Sequence, residues 1–104
     1  MRERRTAKRI RANLEVRWEG LFTEGRGSIG DIGPWGCFVL TGSEVQLGDL
    51  ISLEIRFPNK EVATQVGEVV YVYAEIGFAL HFTFSTSEEE RALARLVESL
   101  DRRE

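Results

Sequence analysis

The chain has 104 residues, of which 42% are hydrophobic and 30% charged, a composition typical of one globular domain. Its apolar runs are far shorter than the ~20 residues that a membrane-spanning helix requires, and no apolar segment follows the basic N-terminus as in a secretory signal peptide. Cys37 is the only cysteine, which excludes an internal disulfide, and no His/Cys cluster is present for zinc. We therefore expect a cytoplasmic protein that does not insert into membranes and holds no metal.

The net charge of −3 is distributed unevenly along the chain. Residues 1–17 carry seven bases and two acids, a net charge of +5, whereas the remainder carries seven bases and fifteen acids, a net charge of −8. A basic segment on an acidic body indicates a local anion-binding feature. Proteins that wrap long nucleic acid usually have a broad basic face, so we expect no DNA partner.

The predicted elements follow a flexible basic N-terminal arm, residues 1–12. Apolar and polar residues then alternate with a period of two in several short segments, which is the pattern of strands with one buried face. Glycine, proline and asparagine lie between these segments and predict short turns. The predicted strands are 14–19, 26–30, 37–40, 51–57, 62–73 and 78–82. A mainly β chain of about six strands suits a small antiparallel barrel, residues 13–84, which leaves no exposed edge.

Residues 85–104 are predicted to form a C-terminal helix. Ser87 and Glu90 match a capping box, in which the hydroxyl accepts from the Glu90 N–H and the carboxylate reaches back. Apolar residues then recur at helical spacing and form one stripe: Leu93, Leu96, Val97 and Leu100. We expect this stripe to pack on the barrel or on a second copy of the chain, which leaves a homodimer open.

The candidate site joins the arm to the turn around residues 30–36. Arg5 and Arg9, with Arg4 beside them, offer planar donor forks that match phosphate oxygens or the O6/N7 edge of guanine. Asp31 is an acceptor and suits the N1–H and N2–H₂ donors of guanine. Gly33 and Gly36 remove side chains from the turn, so that backbone N–H groups can approach a ligand. These groups together fit a ligand that contains both phosphate and guanine.

These residues carry a resemblance to a known family. Arg4-Arg5-x-x-x-Arg9 followed by Asp31-x-Gly33-x-x-Gly36 resembles the paired motifs of the PilZ domain family, RRxxxR and (D/N)xSxxG. Residues 36–38, 67–71 and 76–82 also resemble the family, so the likeness covers almost the whole chain. It implies a six-stranded antiparallel β-barrel with a C-terminal α-helix, in agreement with the periodicities above. It also implies binding of the bacterial second messenger cyclic di-GMP, usually to change the activity of a partner.

The resemblance implies a role for each matching residue. Arg5 and Arg9 would grip guanine edges and phosphates with help from Arg4, Asp31 would read the Watson–Crick edge of guanine, and Gly36 would permit a sharp turn. Gly33 departs from the family, which usually has serine here. The missing hydroxyl removes one ligand hydrogen bond, worth ~1 kcal/mol or several-fold in affinity. The sequence contains no effector domain, so we expect the signal to reach an unidentified effector protein in trans or to act through a change in assembly.

Three alternatives stay open from the sequence. The arm taken alone is typical of a solvated basic tail. Gly33 favours a degenerate PilZ adaptor that recognises a protein without nucleotide, and a barrel that binds single-stranded nucleic acid through the arm is the third. Trp35 suits either stacking on a base or sealing of the core. His81 is expected on the outer face of a strand, and Cys37 is expected to be a small buried hydrophobic residue. No nucleophile–base set is present, so we expect neither catalytic residues nor an enzyme.

Overall fold

The computed structural model describes residues 9–102, in which six antiparallel strands close into a barrel and one helix follows. The order around the barrel is β1-β2-β3-β6-β5-β4. The bounds are β1 Ile10–Gly20, β2 Glu24–Ile32, β3 Gly36–Leu40, β4 Leu50–Arg56, β5 Val62–Tyr73, β6 Gly77–Phe82 and α1 Ser87–Arg102. The expected fold class is confirmed.

The alternating pattern of the sequence becomes the two faces of the barrel wall. In β1, Leu14, Val16 and Trp18 are buried while the residues between them are exposed. The same alternation runs through β4, and the ring of Trp18 meets that of Phe78 edge-on inside the barrel, with centroids 5.2 Å apart. Full burial of such side chains contributes ~1.5–3 kcal/mol each, so the barrel interior supplies most of the stabilisation.

Helix α1 packs on the barrel, which is one of the two arrangements expected from the sequence, the other being packing on a second copy of the chain. Leu93 and Val97 are buried in the common core, with Leu96 and Leu100 partly buried against it. The N-terminal cap differs from the expectation by one residue. Thr86 Oγ1, and not the Ser87 hydroxyl, accepts from a helix N–H, that of Glu89 at 3.1 Å.

The reciprocal bond of this cap is also displaced, because the Glu89 carboxylate accepts from the Ser85 N–H at 2.9 Å. The two serines and Thr86 form a run of residues that can all cap a helix, and the sequence alone does not distinguish between them. A second difference from the expectation concerns the start of the first strand. β1 begins at Ile10, so residues 10–12, which were assigned to the arm, belong to the first strand.

The part of the chain between residues 9 and 102 has no helix that is long and apolar enough to cross a bilayer. In the same residues, no group of three or more His, Cys, Asp or Glu side chains lies close enough together to hold a metal ion.

Candidate ligand-binding site

Asp31 lies near the end of β2, opposite Arg11 of β1 and Phe38 of β3. Ile29 and Ile32 are both fully buried although their odd spacing would put them on opposite faces of a regular strand. The register explains this, because Gly30 is an additional residue in β2 against β3. Such a bulge re-aims the side chains that follow it, and it leaves the Asp31 carboxylate 41% exposed on the outside of the barrel.

Arg9 contacts Asp31 across 22 residues of sequence. Its Nη2 and Nε atoms donate to Oδ1 of Asp31 at 2.6 and 3.0 Å, and within residues 9–102 the second carboxylate oxygen has no partner. The two side chains are 48% and 41% exposed. An ion pair this exposed is worth only ~0–1 kcal/mol. The groups are therefore held together, yet a charged ligand can replace one partner at little cost.

Gly33 and Gly36 close the turn between β2 and β3 by a hydrogen bond from the Gly33 N–H to the Gly36 carbonyl, 2.8 Å long. The expectation that the turn offers its N–H groups to a ligand is therefore wrong for Gly33, whose donor is already used. The turn is also fixed to the end of β6, because the Phe82 N–H donates to the Trp35 carbonyl at 2.8 Å.

Gly36 serves a different purpose from the one expected. It is the first residue of β3, and a Cβ atom there would lie 2.5 Å from the carbonyl oxygen of Leu80. Among the described glycines only Gly48 and Gly77 have a positive φ angle. The close approach of β3 to β6, rather than a sharp turn, therefore requires glycine at this position.

A pocket of about 230 Å³ lies between this turn, β6 and the outer face of β5. Arg9, Gly33 and Gly36 contribute to its walls, together with Trp35 and His81. The structure thus brings three of the predicted site residues to one cavity, with Asp31 joined to it through Arg9. The predicted residues Arg4 and Arg5 lie outside the described part of the chain.

The sequence left Trp35 open between base stacking and sealing of the core, and did not include it in the predicted ligand set. The residue is 46% exposed, so it does not seal the core, and its Nε1–H donates to Oε2 of Glu90 at 3.1 Å. Glu90 was interpreted only as part of the helix start. Its approach to Trp35 spans 55 residues of sequence and depends on how α1 docks, which no local pattern indicates. His81 is exposed on the outside of β6, as expected.

Cys37 lies beneath the pocket and is fully buried. The pKa of its thiol is raised to about 12, mainly because burial disfavours the charged thiolate. Two nearby charges have smaller effects: Arg9 lowers the pKa and Asp31 raises it. The thiol is therefore neutral at physiological pH and is a poor nucleophile. The interpretation of Cys37 as a small buried hydrophobe is confirmed.

A second, larger groove of about 480 Å³ lies over β1, β2, β4 and β5. Its walls carry both signs of charge. Arg17 lies 3.5 Å from Glu54, and Arg56 lies 3.8 Å from the same carboxylate. None of the predicted site residues that the structure describes lines this groove, and its mixed charge selects no particular ligand. We therefore place the candidate site at the smaller pocket.

Comparisons with known proteins agree with this fold. A family model for the PilZ domain matches residues 3–99. The PilZ domain of YcgR from Escherichia coli, solved with c-di-GMP, has a TM-score of 0.80 at 19% identity, covering 97% of this chain and 94% of that one. The PilZ domain of CeSA from a cellulose-synthesizing bacterium has a TM-score of 0.75 at 16% identity, covering 91% and 99%.

A third similar structure is the inhibitor of motility MotI/DgrA of Bacillus subtilis, with a TM-score of 0.76 at 22% identity. The match covers 98% of this chain but only 51% of the Bacillus protein, so this chain spans about half the length of that relative. No curated protein sequence matches the chain significantly.

Proposed function

The chain belongs to the PilZ domain family, and on that basis we propose that it is a receptor for cyclic di-GMP and not an enzyme. The ligand would lie in the pocket between the β2–β3 turn and β6. Arg9 and Asp31 would bind it there, with Arg4 and Arg5 as further guanidinium donors. Gly33 and Gly36 would form part of the wall of the site, where Gly36 also lets β3 approach β6 closely. We propose that it acts in the cytoplasm and relays the signal to a partner protein in trans.

The contact between Arg9 and Asp31 is the observation on which this proposal chiefly depends. It joins a carboxylate to a guanidinium fork that lines the pocket. The fork matches a phosphate or the O6/N7 edge of guanine, and the carboxylate accepts from guanine N1–H and N2–H₂. Because the ion pair is exposed, its replacement by ligand contacts costs little.

The similarity to a domain solved with c-di-GMP supports the choice of ligand, although at 19% identity the similarity itself concerns the fold. Gly33 lowers the expected affinity. It lacks a hydroxyl, and its N–H is bonded to Gly36, so neither group is offered to the ligand. One missing hydrogen bond costs ~1 kcal/mol, which weakens binding several-fold.

The same observation at Gly33 favours a second candidate function, an adaptor that recognises a protein partner without nucleotide. Under this alternative the barrel and the turn would persist, and the partner would be bound equally well with and without cyclic di-GMP. A pull-down that is indifferent to both the nucleotide and Arg9→Ala would favour the adaptor.

Titration calorimetry with cyclic di-GMP tests the proposed function. We expect the wild-type chain to bind and Arg9→Ala to bind about 10- to 150-fold more weakly, because a hydrogen bond to a charged group is worth ~1.5–3 kcal/mol. Asp31→Asn replaces one acceptor oxygen by a donor, so it should reduce the preference for cyclic di-GMP over cyclic di-AMP.

Arg26→Ala is the matched control, because it removes the same charge from the exposed wall of the larger groove. It should leave the affinity almost unchanged. Absence of heat with folded wild-type protein would contradict the proposal, and so would equal losses in Arg9→Ala and Arg26→Ala.

A further inference from the structure

Trp35 is held in place without being buried. Its carbonyl accepts from the Phe82 N–H at 2.8 Å, and its Nε1–H donates to Glu90 Oε2 at 3.1 Å. The first bond fixes the backbone to β6, and the second fixes the edge of the indole to α1. The side chain is nevertheless 46% exposed. The ring is therefore oriented from two sides while much of its surface stays in contact with water.

Trp35 also contributes to the wall of a cavity. The residue lines the pocket together with Arg9 and His81. Several aromatic side chains of the described residues pack against one another, as Trp18 does with Phe78 and Tyr71 with Tyr73, but no such ring contact involves Trp35. Because its only polar atom is already bonded to Glu90, the indole offers its apolar face. A partly exposed indole at a pocket that a guanidinium also lines suits an aromatic ring attached to a phosphate.

We propose that Trp35 is the stacking platform for a purine base of the bound cyclic dinucleotide, and that Glu90 is the residue that positions it. This inference rests on the proposed function of the same pocket. Asp31 and Arg9 would bind the edge of the base and the phosphate, and Trp35 would bind its face. Stacking on the face does not distinguish guanine from adenine, because both have a π surface. The two kinds of contact therefore make different contributions to specificity.

Calorimetry with Trp35→Ala and Trp35→Phe measures the contribution of the ring. We expect Trp35→Ala to bind cyclic di-GMP about 5- to 150-fold more weakly, the range for removal of one base–aromatic stack. Trp35→Phe keeps a ring face and should bind within about threefold of wild type. The loss in Trp35→Ala should be similar for cyclic di-AMP, unlike the change of preference expected in Asp31→Asn.

Glu90→Ala tests the positioning role. The indole then has to be ordered by the ligand, and ordering one side chain costs about 2- to 10-fold in affinity. Glu88→Ala is the matched control, since it removes the same charge from the same helix turn at an exposed position without a described partner. Its affinity should equal that of the wild type.

Tryptophan emission provides a readout that a structural role would not change. Trp18 is buried and Trp35 is the other tryptophan of the chain, so a base that stacks on Trp35 should quench the wild-type emission. The quenching should be absent in Trp35→Phe while calorimetry still detects binding. This comparison decides the question even if Trp35→Ala lowers the stability of the fold.

The outcomes separate this inference from the proposed function. If the folded wild-type protein does not bind cyclic di-GMP, both are overturned. If the wild type binds with unchanged emission, and Trp35→Ala binds as tightly as the wild type, only the stacking platform is overturned. Binding accompanied by quenching and a loss of affinity in Trp35→Ala supports both.

Discussion

Among the individual residues of the candidate site, the Arg9–Asp31 contact is weak enough for the proposed ligand to replace it. The Arg9–Asp31 pair is close to half exposed on both sides, so water screens it. Its value lies in geometry, since it keeps a donor fork and an acceptor at the pocket before the ligand arrives. Less reorganisation is then needed on binding, which favours affinity.

Gly36 allows a prediction about stability. Gly36→Ala should lower the free energy of unfolding by ~1–3 kcal/mol, because its Cβ would lie 2.5 Å from the Leu80 carbonyl oxygen and backbone has to move. Denaturation in urea measures the change. Gly42→Ala is the matched control, because a Cβ there has no atom within 4 Å and should be neutral or slightly stabilising. Equal stability of both variants would contradict the claim that the close approach of β3 to β6 requires glycine at position 36.

Among the secondary-structure elements, the N-terminal cap of α1 predicts different losses of stability for substitutions at two neighbouring residues, Thr86 and Ser87. Thr86→Ala should cost ~1 kcal/mol of stability, because the Glu89 N–H loses its acceptor. Ser87→Ala, the change that the sequence pattern would select, should cost much less. Thermal unfolding of the two variants measures the difference. A larger loss of stability in Ser87→Ala than in Thr86→Ala would show that Ser87, and not Thr86, caps the helix.

The strands and the helix could be predicted from the sequence because each has its own periodicity. The alternation in β4 and the stripe that contains Leu93 and Val97 are local patterns, and burial follows them directly. The bulge at Gly30 breaks the period of two, and only the register of the neighbouring strand reveals it. The Trp35–Glu90 bond depends on docking between distant elements, so no sequence pattern predicts it.

At the scale of the whole molecule, closure of the barrel determines where a ligand can bind. Each of the six strands has a neighbour on both sides, so in residues 9–102 no strand is a sheet edge along its whole length. The outer wall and its turns therefore offer mainly side chains for recognition. Two concave surfaces of this wall have no lining residue in common: the smaller pocket beside Trp35 and the larger groove beside Arg17.

The proposed function requires that cyclic di-GMP binds the smaller pocket and not the larger groove. An amide chemical-shift titration of the ¹⁵N-labelled protein tests this claim most directly. We predict that the signals of Asp31, Gly33 and the Trp35 indole move with added nucleotide, whereas those of Arg26 and the Trp18 indole stay in place. Unmoved signals at a large excess of nucleotide, or shifts centred on Arg26, would contradict the account.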